Sequence, residues 1–433
     1  MVLLEVNCVP AHCPGQIQTF YLRIKAMHLK LATFATLLLT NLLTIAADWP
    51  QRRGPDNNGI SAETNWSHSW PLEGPKLLWK ASVGTGFSSI VAADGCAFTM
   101  GNTNDVDRVH CLDVKTGRSL WAFSYPEPAN PKMYEGGPNS TPTFHGGRLF
   151  AASRTGKLFC LRSDTGIPVW SNDLAQVVGM NNGDWGLAGS PIVANARLYV
   201  NYGSAVVALD IDSGKAQWNS AKEEKGKFSF STPVFSSDRS ILFAHMHKSL
   251  FALSPGTGKE LWHHRFGSGY ETHAADPVIT SKGVFVSSGD DGGELLAFTL
   301  QDETRLWKNK NLGTFTGSAV LLGTYLYGVD SGGYKIGGQQ LRCVDLEKGE
   351  VKWSVPGFGQ DSLIAAGDRL IVLTEKGELV IARAQPERAE VLARAQILGG
   401  KCWTQPALSD GRLFCRNAKG QVACLDLNLP STR

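Results

Sequence analysis

Three stretches between apolar, β-rich runs carry side chains with chemical capacity. Residues 126–140, PEPANPKMYEGGPNS, hold Tyr134, Glu135 and Asn139; residues 180–190, MNNGDWGLAGS, hold Asn182, Asp184 and Trp185. Residues 267–277, GSGYETHAADP, add Tyr270, Glu271, His273 and Asp276, and later loops add Asp361, Lys401 and Trp403. Carboxylates can bind a hard cation or take a proton, an imidazole can do either, and flat aromatic rings can floor a small-molecule pocket. These residues are dozens of positions apart, so they form one site only if the fold gathers their loops. The alternative is that such residues satisfy turn backbone and water at a channel mouth, as polar loop residues commonly do.

The elements that could gather them are written in a repeat. Cys111 to Trp121 reads CLDVKTGRSLW, and the frame returns as Cys160 to Trp170, Ala208 to Trp218, Ala252 to Trp262, Ala297 to Trp307 and Cys343 to Trp353. A worn copy runs from Ala382 to Leu392, and Cys424 to Asp426 opens one whose second half is missing. A spacing in the forties marks a solenoid or propeller. Within each unit, short β-rich runs alternate with Gly turns, as in STPTFHGG, RLFAAS, RTG and KLFCLRSDTG, which predicts four antiparallel strands. Asp and the Thr-Gly or Ser-Gly pair form the last turn, the glycines at 117, 166, 214, 258 and 349 supplying positive φ.

Trp79, Trp121, Trp170, Trp218, Trp262, Trp307, Trp353 and the degenerate Leu392 then mark eight outer strands. The orphan LLWK at 77–80 and the orphan start at 424–426 complete one another. The reading is an all-β, eight-bladed propeller of four-stranded antiparallel blades over residues 76–428, its last blade closed by an N-terminal strand. Closure removes lone sheet edges. A Trp on nearly every blade is a structural ring packed between blades, since no single bound molecule requires so many.

The ends bound the rest. Residues 31–45 are an uncharged, mostly apolar run preceded by Lys25, His28 and Lys30 and followed by Ala46 and Ala47, the order of a signal peptide. Residues 1–47 therefore read as a leader, with 27–47 the signal and 1–26 an over-extended start. The mature protein is expected to be periplasmic or secreted, without a stable membrane span; no Cys follows the small residues to take a lipid. Residues 48–75, opening DWPQRRGPDNNGIS, read as a strap over the surface. Cys111, Cys160, Cys343 and Cys424 hold a small packing position, whereas Cys96, Cys402 and Cys415 are the candidates for pairing. With 42 basic and 39 acidic residues and no long run of one sign, nucleic acid is not an expected partner.

The frame small-x-Asp-x-x-Thr-Gly-Lys-x-x-Trp resembles the tryptophan-docking motif of the quinoprotein family. Its eight-bladed propellers bind pyrroloquinoline quinone (PQQ) in the alcohol dehydrogenases. The same repeat also builds non-enzymatic propellers, including a scaffold lipoprotein of bacterial outer-membrane β-barrel assembly. The enzymes' pattern implies that Trp185 or Trp403 would stack on PQQ. Glu135 or Glu271, with Asn139 or Asn182, would hold calcium, with His273 beside them, and Asp184 or Asp276 would serve as base. Two departures count against the enzyme: the chain has no adjacent Cys-Cys pair, and it lacks the enzymes' insertions. The expected function is an exported scaffold holding a protein, polymer or small ligand over its loop face, with PQQ- and calcium-dependent alcohol or sugar dehydrogenation as the alternative.

Other constellations carry less. His245, His247, His263 and His264 share blade 4, but no carboxylate or Cys is tied to them by spacing. GDDGGE at 289–294 lacks calcium-loop spacing, and DSGGYKIGGQQ at 330–340 lacks the strand-to-helix context of a phosphate cradle.

Overall fold

The computed structural model describes residues 48–429 apart from 133, 181–182, 184, 221–229, 247, 268–272, 333–337 and 361. Residues 1–47, read above as a leader, lie outside the described residues. Eight four-stranded antiparallel blades follow one another, the first built from Val91–Ala93, Cys96–Thr103, Val106–Asp113 and Ser119–Pro126. The eighth takes three strands from the C-terminal end, Ala407–Ser409, Arg412–Arg416 and Gln421–Asp426, and its outer strand from Lys76–Ser82, with Trp79 opposite Cys424. Fully buried Arg416 stitches this blade to the first, Nη1 donating to Ser88 O at 2.8 Å and Nη2 to Gly84 O at 3.1 Å.

The repeat motif explains why neighbouring blades adhere. A bulge in the outer strand, at Leu120 in blade 1, turns the following Trp toward the next blade. Each indole N–H then donates to a carbonyl in that blade's own motif turn. Trp79 reaches Val114 O at 3.0 Å, Trp121 Ser163 O at 2.9 Å, Trp170 Ile211 O at 3.0 Å and Trp218 Pro255 O at 3.2 Å. Trp262 reaches Thr299 O at 3.0 Å, Trp307 Leu346 O at 2.9 Å and Trp353 Gln385 O at 2.7 Å. The motif Gly has a second duty beyond its positive φ. A Cβ at Gly117, Gly166 or Gly214 would sit 2.5 Å from the ring of Trp79, Trp121 or Trp170, so the glycine is the floor on which the preceding blade's Trp lies. Asp113 holds the turn by accepting from Thr116 N at 2.7 Å, leaving the Trp platform rigid.

Several expectations need correction. In blade 5 the residue opposite Trp307 is Leu295, not Ala297, because strand pairing continues past the bulge to Phe298 opposite Glu303, two pairs further than in blade 1. In blade 7 Ala393 faces Ile381 in the Trp register, and Leu392 falls in the bulge, because one more pair, Arg383 opposite Glu390, forms between bulge and turn. That interface lacks a motif Trp. Buried Trp66 and the N–H of Trp70, which donates to Arg394 O at 3.3 Å, come from the N-terminal segment to join its core. One short helix, Leu174–Val178, follows blade 2, started by Asp173 accepting from Ala175 N at 2.9 Å and ended by Gly179 with φ 74°. The seven described cysteines are free thiols, and the four at the motif position are buried.

Trp218→Ala should lower the stability to urea unfolding by about 3 kcal/mol, since the ring is partly covered rather than sealed. Gly146 also has positive φ, 56°, but nothing within 4 Å of a Cβ. Gly146→Ala should therefore cost about 1 kcal/mol, and Gly117→Ala more by ~1–2 kcal/mol. Equal losses would show that the Trp platform is not what Gly117 supplies.

Candidate functional site

The segment read as a surface strap instead crosses the central channel. Its backbone pairs with the free edges of innermost strands: Trp49 with Ala92 of blade 1, where Trp49 N donates to Ala92 O at 2.7 Å, and Ile60 and Ser61, parallel to Ala365 and Ala366 of blade 7. Between them Phe144 N of blade 2 donates to Pro50 O at 2.7 Å, and Arg53 Nη2 donates to Ala319 O of blade 6 at 2.9 Å. The segment leaves by the opposite face, where Gly411 N donates to Glu63 Oε2 at 2.8 Å. Trp49 and Arg53 are each 1% exposed, so this is interior rather than covering.

What the strap docks on is a belt around the channel. At the residue opening each inner strand, the backbone N–H donates to the side-chain oxygen of the equivalent residue one blade on. The links are Ser89 to Thr141, Thr141 to Ser190 and Ser190 to Thr232, each 3.0 Å, then Thr232 to Asp276 at 2.7 Å and Asp276 to Ser318 at 2.8 Å. Asp276 stands where the other links use hydroxyls, and its second oxygen is therefore left over. Arg52 takes it, in a charged hydrogen bond from Nη1, which also lies 3.2 Å from Thr232 Oγ1.

Above the strap the interblade loops enclose a funnel of about 180 Å³. Arg52 lies at its floor, and Phe87, Tyr134, Trp185, Phe230, Phe315 and Trp403 line it, drawn from loops of the last, first, second, third, fifth and seventh blades. Tyr134 is the hub: its ring centroid is 5.3 Å from that of Trp185 and 4.9 Å from that of Trp403, the latter edge to face. Lys401 Nζ sits 4.8 Å above Tyr134 and 4.6 Å above Trp403, and ion-pairs with Glu135 Oε2 at 3.1 Å. Trp403 Nε1 donates to Glu375 Oε1 at 3.0 Å, and Asn139 Nδ2 to Trp185 O at 3.1 Å. The cup is thus held by its own polar rim.

The sequence therefore named six residues that do meet: Tyr134, Glu135, Asn139, Trp185, Lys401 and Trp403. Asp184 and Glu271, with Asn182, Tyr270, Asp361 and His247, lie outside the described residues. His273 and Asp276 are not in the funnel as expected. Asp276 is consumed by the belt and Arg52. His273 is buried behind the wall, its ring centroid 5.0 Å from that of His245 and 5.5 Å from that of Phe266. The other blade-4 histidines pair with carboxylates: His263 with Glu260 at 2.7 Å, and His264 with Glu294 at 2.8 Å and Glu303 at 2.7 Å. Among the described residues no group of three or more His, Cys, Asp or Glu side chains is arranged to hold a metal ion. Sequence reading missed Arg52, Phe87, Phe230 and Phe315. A signal did exist: Thr141, Ser190, Thr232 and Asp276 each precede a proline one repeat apart, which marks the belt and singles out Asp276.

Residues 107–355 match the family model described as outer membrane protein assembly factor BamB. The chain is 23% identical over 305 residues to the outer membrane protein assembly factor BamB of Yersinia pestis, covering 65% of this chain and 72% of that protein. It is also 23% identical over 360 residues to a polyvinylalcohol dehydrogenase of Sphingopyxis sp., covering 76% of this chain but 49% of the enzyme, so it spans about half the enzyme's length. Among solved structures, the quinohemoprotein alcohol dehydrogenase from Comamonas testosteroni superposes with a TM-score of 0.69 at 13% identity, over 89% of this chain and 81% of that one. At such identity the likeness shows the fold alone.

The histidines behind the funnel wall give a pH signature. Burial holds His273 down to about 4 and His245 well below its ordinary range, while the hydrogen bonds His264 makes to Glu294 and then Glu303 raise it against burial. His273 is neutral when folded and takes a proton near 6.5 when unfolded, so acid favours unfolding: stability falls as pH drops from about 6.5 to about 4. His264 acts oppositely, its contribution full below about 6.5 and lost as pH rises through its raised folded value. Urea midpoints measured across this range should show a shallower acid decline in His273→Leu and a shallower neutral-to-alkaline decline in His264→Gln. Unchanged slopes would contradict these placements.

Proposed function

The chain belongs to the family described as outer membrane protein assembly factor BamB, and on that premise we propose that it is an exported binding propeller. Its loop-face funnel holds an aromatic-bearing segment of a protein or polymer. The observation that carries this is the composition of the cup: the described lining is aromatic and small, with Arg52 as its one cation and no carboxylate. The carboxylates nearby are already engaged, Glu135 by Lys401, Glu375 by Trp403 and Asp276 by Thr232 and Arg52. Rigid rings with edges held by hydrogen bonds suit recognition by stacking at low entropic cost. Export is supported by the apolar run at 31–45, and among the described residues no helix is long and apolar enough to cross a membrane.

The second reading, a PQQ- and calcium-dependent alcohol or sugar dehydrogenase, draws on the similarity to polyvinylalcohol dehydrogenase. A planar, anionic molecule suits the ring walls and Arg52. Calcium does not: it takes six to eight oxygens, usually several from carboxylates, and the described funnel lining offers none. No catalytic step is therefore derived through that pair.

Two assays on the purified mature protein separate the readings. A labelled peptide rich in Phe and Tyr should bind, and Trp403→Ala should weaken it by about tenfold or more, the cost of losing an aromatic anchor. Supplied with PQQ and calcium, the protein should give no dye-linked turnover on alcohols, sugars or polyvinyl alcohol. Turnover would overturn the binding reading in favour of the enzyme.

A further inference from the structure

The strap leaves a second cavity beneath it. A chamber of about 360 Å³ lies between Gln51–Asn58 and the inner strands of blades 3 to 5, at the end of the channel opposite the funnel. Two guanidinium groups, Arg53 and Arg239, line it.

Arg53 is the unusual one. It is 1% exposed, yet its charge is poorly matched. Nε and Nη2 donate to carbonyls only, Asn57 O at 3.3 Å, Asn58 O at 2.9 Å and Ala319 O at 2.9 Å. Its nearest carboxylate, Asp276, is 4.0 Å away and already pairs with Arg52, so two guanidinium groups share one carboxylate. Nη1 of Arg53 and Oδ1 of Asn57, another chamber residue, are buried with no hydrogen-bond partner. A buried polar group left unpaired costs about 1–3 kcal/mol, more when charged, so this interior is incomplete as it stands. Burial also pulls Arg53 down to about 10, with Asp276 opposing and Arg52 adding to the shift.

A second observation points the same way. Arg53 and Arg239 adopt left-handed backbone, with φ 69° and 58°, and they are the only arginines among the described non-glycine residues that do so. Such strain persists where the surroundings hold it, commonly at ligand clamps. Of the acidic groups nearby, Asp56 lines the chamber but is exposed, and Asp238 is occupied by Ser236 at 2.6 Å and Ser240 at 2.8 Å. Arg239, like Asp56 and Asp238, stands at the exposed mouth of the chamber, so the charge without a partner of its own is the buried one, Arg53.

We propose that this chamber is a second binding site, distinct from the funnel, which takes a small oxyanion, a phosphate or carboxylate group, between Arg53 and Arg239. Two planar, fixed-charge forks are suited to such groups. The anion would supply the missing counter-charge under the strap, so its binding would also tighten the partition between chamber and funnel.

Calorimetry on the full mature protein tests this with inorganic phosphate and, separately, succinate, against sodium chloride of equal ionic strength. At least one anion should bind at one per chain and raise the melting temperature, the stronger of the two identifying the source. Arg239→Gln should weaken it about tenfold or more. Arg53→Lys, which keeps the charge and loses the fork, should also weaken it, while Trp403→Ala in the funnel should leave it unchanged. Absence of binding of both anions to the parent protein, or parent-like binding by both arginine variants, would overturn the proposal. Because the funnel variant serves as the control, this outcome is independent of the peptide assay.

Discussion

The partition of the central channel rests on one buried carboxylate, Asp276. A belt of five hydrogen bonds runs from the start of one blade to the start of the next, from Ser89 to Ser318, with a serine or threonine hydroxyl or the Asp276 carboxylate as acceptor. The hydroxyls of the belt carry no charge. Asp276 does: one oxygen continues the belt, and the other, buried, needs a cation. Arg52 supplies it, and with it comes the strap, fixed across a channel that would otherwise run from face to face. Partition of the channel into an aromatic funnel and a polar chamber follows from that pairing.

The blade ring beneath is a separate device, and it was the part most legible in sequence. A Trp in bulged register, an Asp-held turn and a Gly recur at fixed spacing because each performs the same contact from blade to blade, the Trp in seven of the eight. The frame placed seven tryptophans correctly on outer strands. It mistook the register in blades 5 and 7, where extra strand pairs between bulge and turn move the partner, to Leu295 and Ala393. The glycines were legible as turn formers but not as seats for the neighbouring Trp, since periodicity within one blade says nothing about what the previous blade lays upon it.

The site was less legible, for a physical reason. Loops from different blades converge on the channel, so Glu135, Asn139, Trp185 and Trp403 could be gathered by assuming the fold. Whether a residue two or three positions further along faces the cavity or the interblade core depends on loop conformation. His273 and Asp276, three apart, go to different places, one to a buried imidazole pair and one to the belt. Arg52 was invisible because a Gly- and Pro-containing stretch reads as surface, and only the stretch's pairing with blades 1, 2, 6 and 7 reveals it as interior. The same repeat serves proteins named for outer-membrane assembly and for dehydrogenation, so the distinction between them lies in what the funnel offers a ligand.

The central claim, that Asp276 anchors the strap through Arg52, is tested most directly by a double-mutant cycle. Arg52→Gln, Asp276→Asn and the double variant would be compared with the parent in equilibrium urea unfolding. The account expects a coupling energy of at least about 1 kcal/mol, because each single change strands the other partner in a largely dehydrated setting. Additive losses, with no coupling, would mean that the strap is held by its backbone pairing alone and that the partition of the channel does not depend on this charge pair.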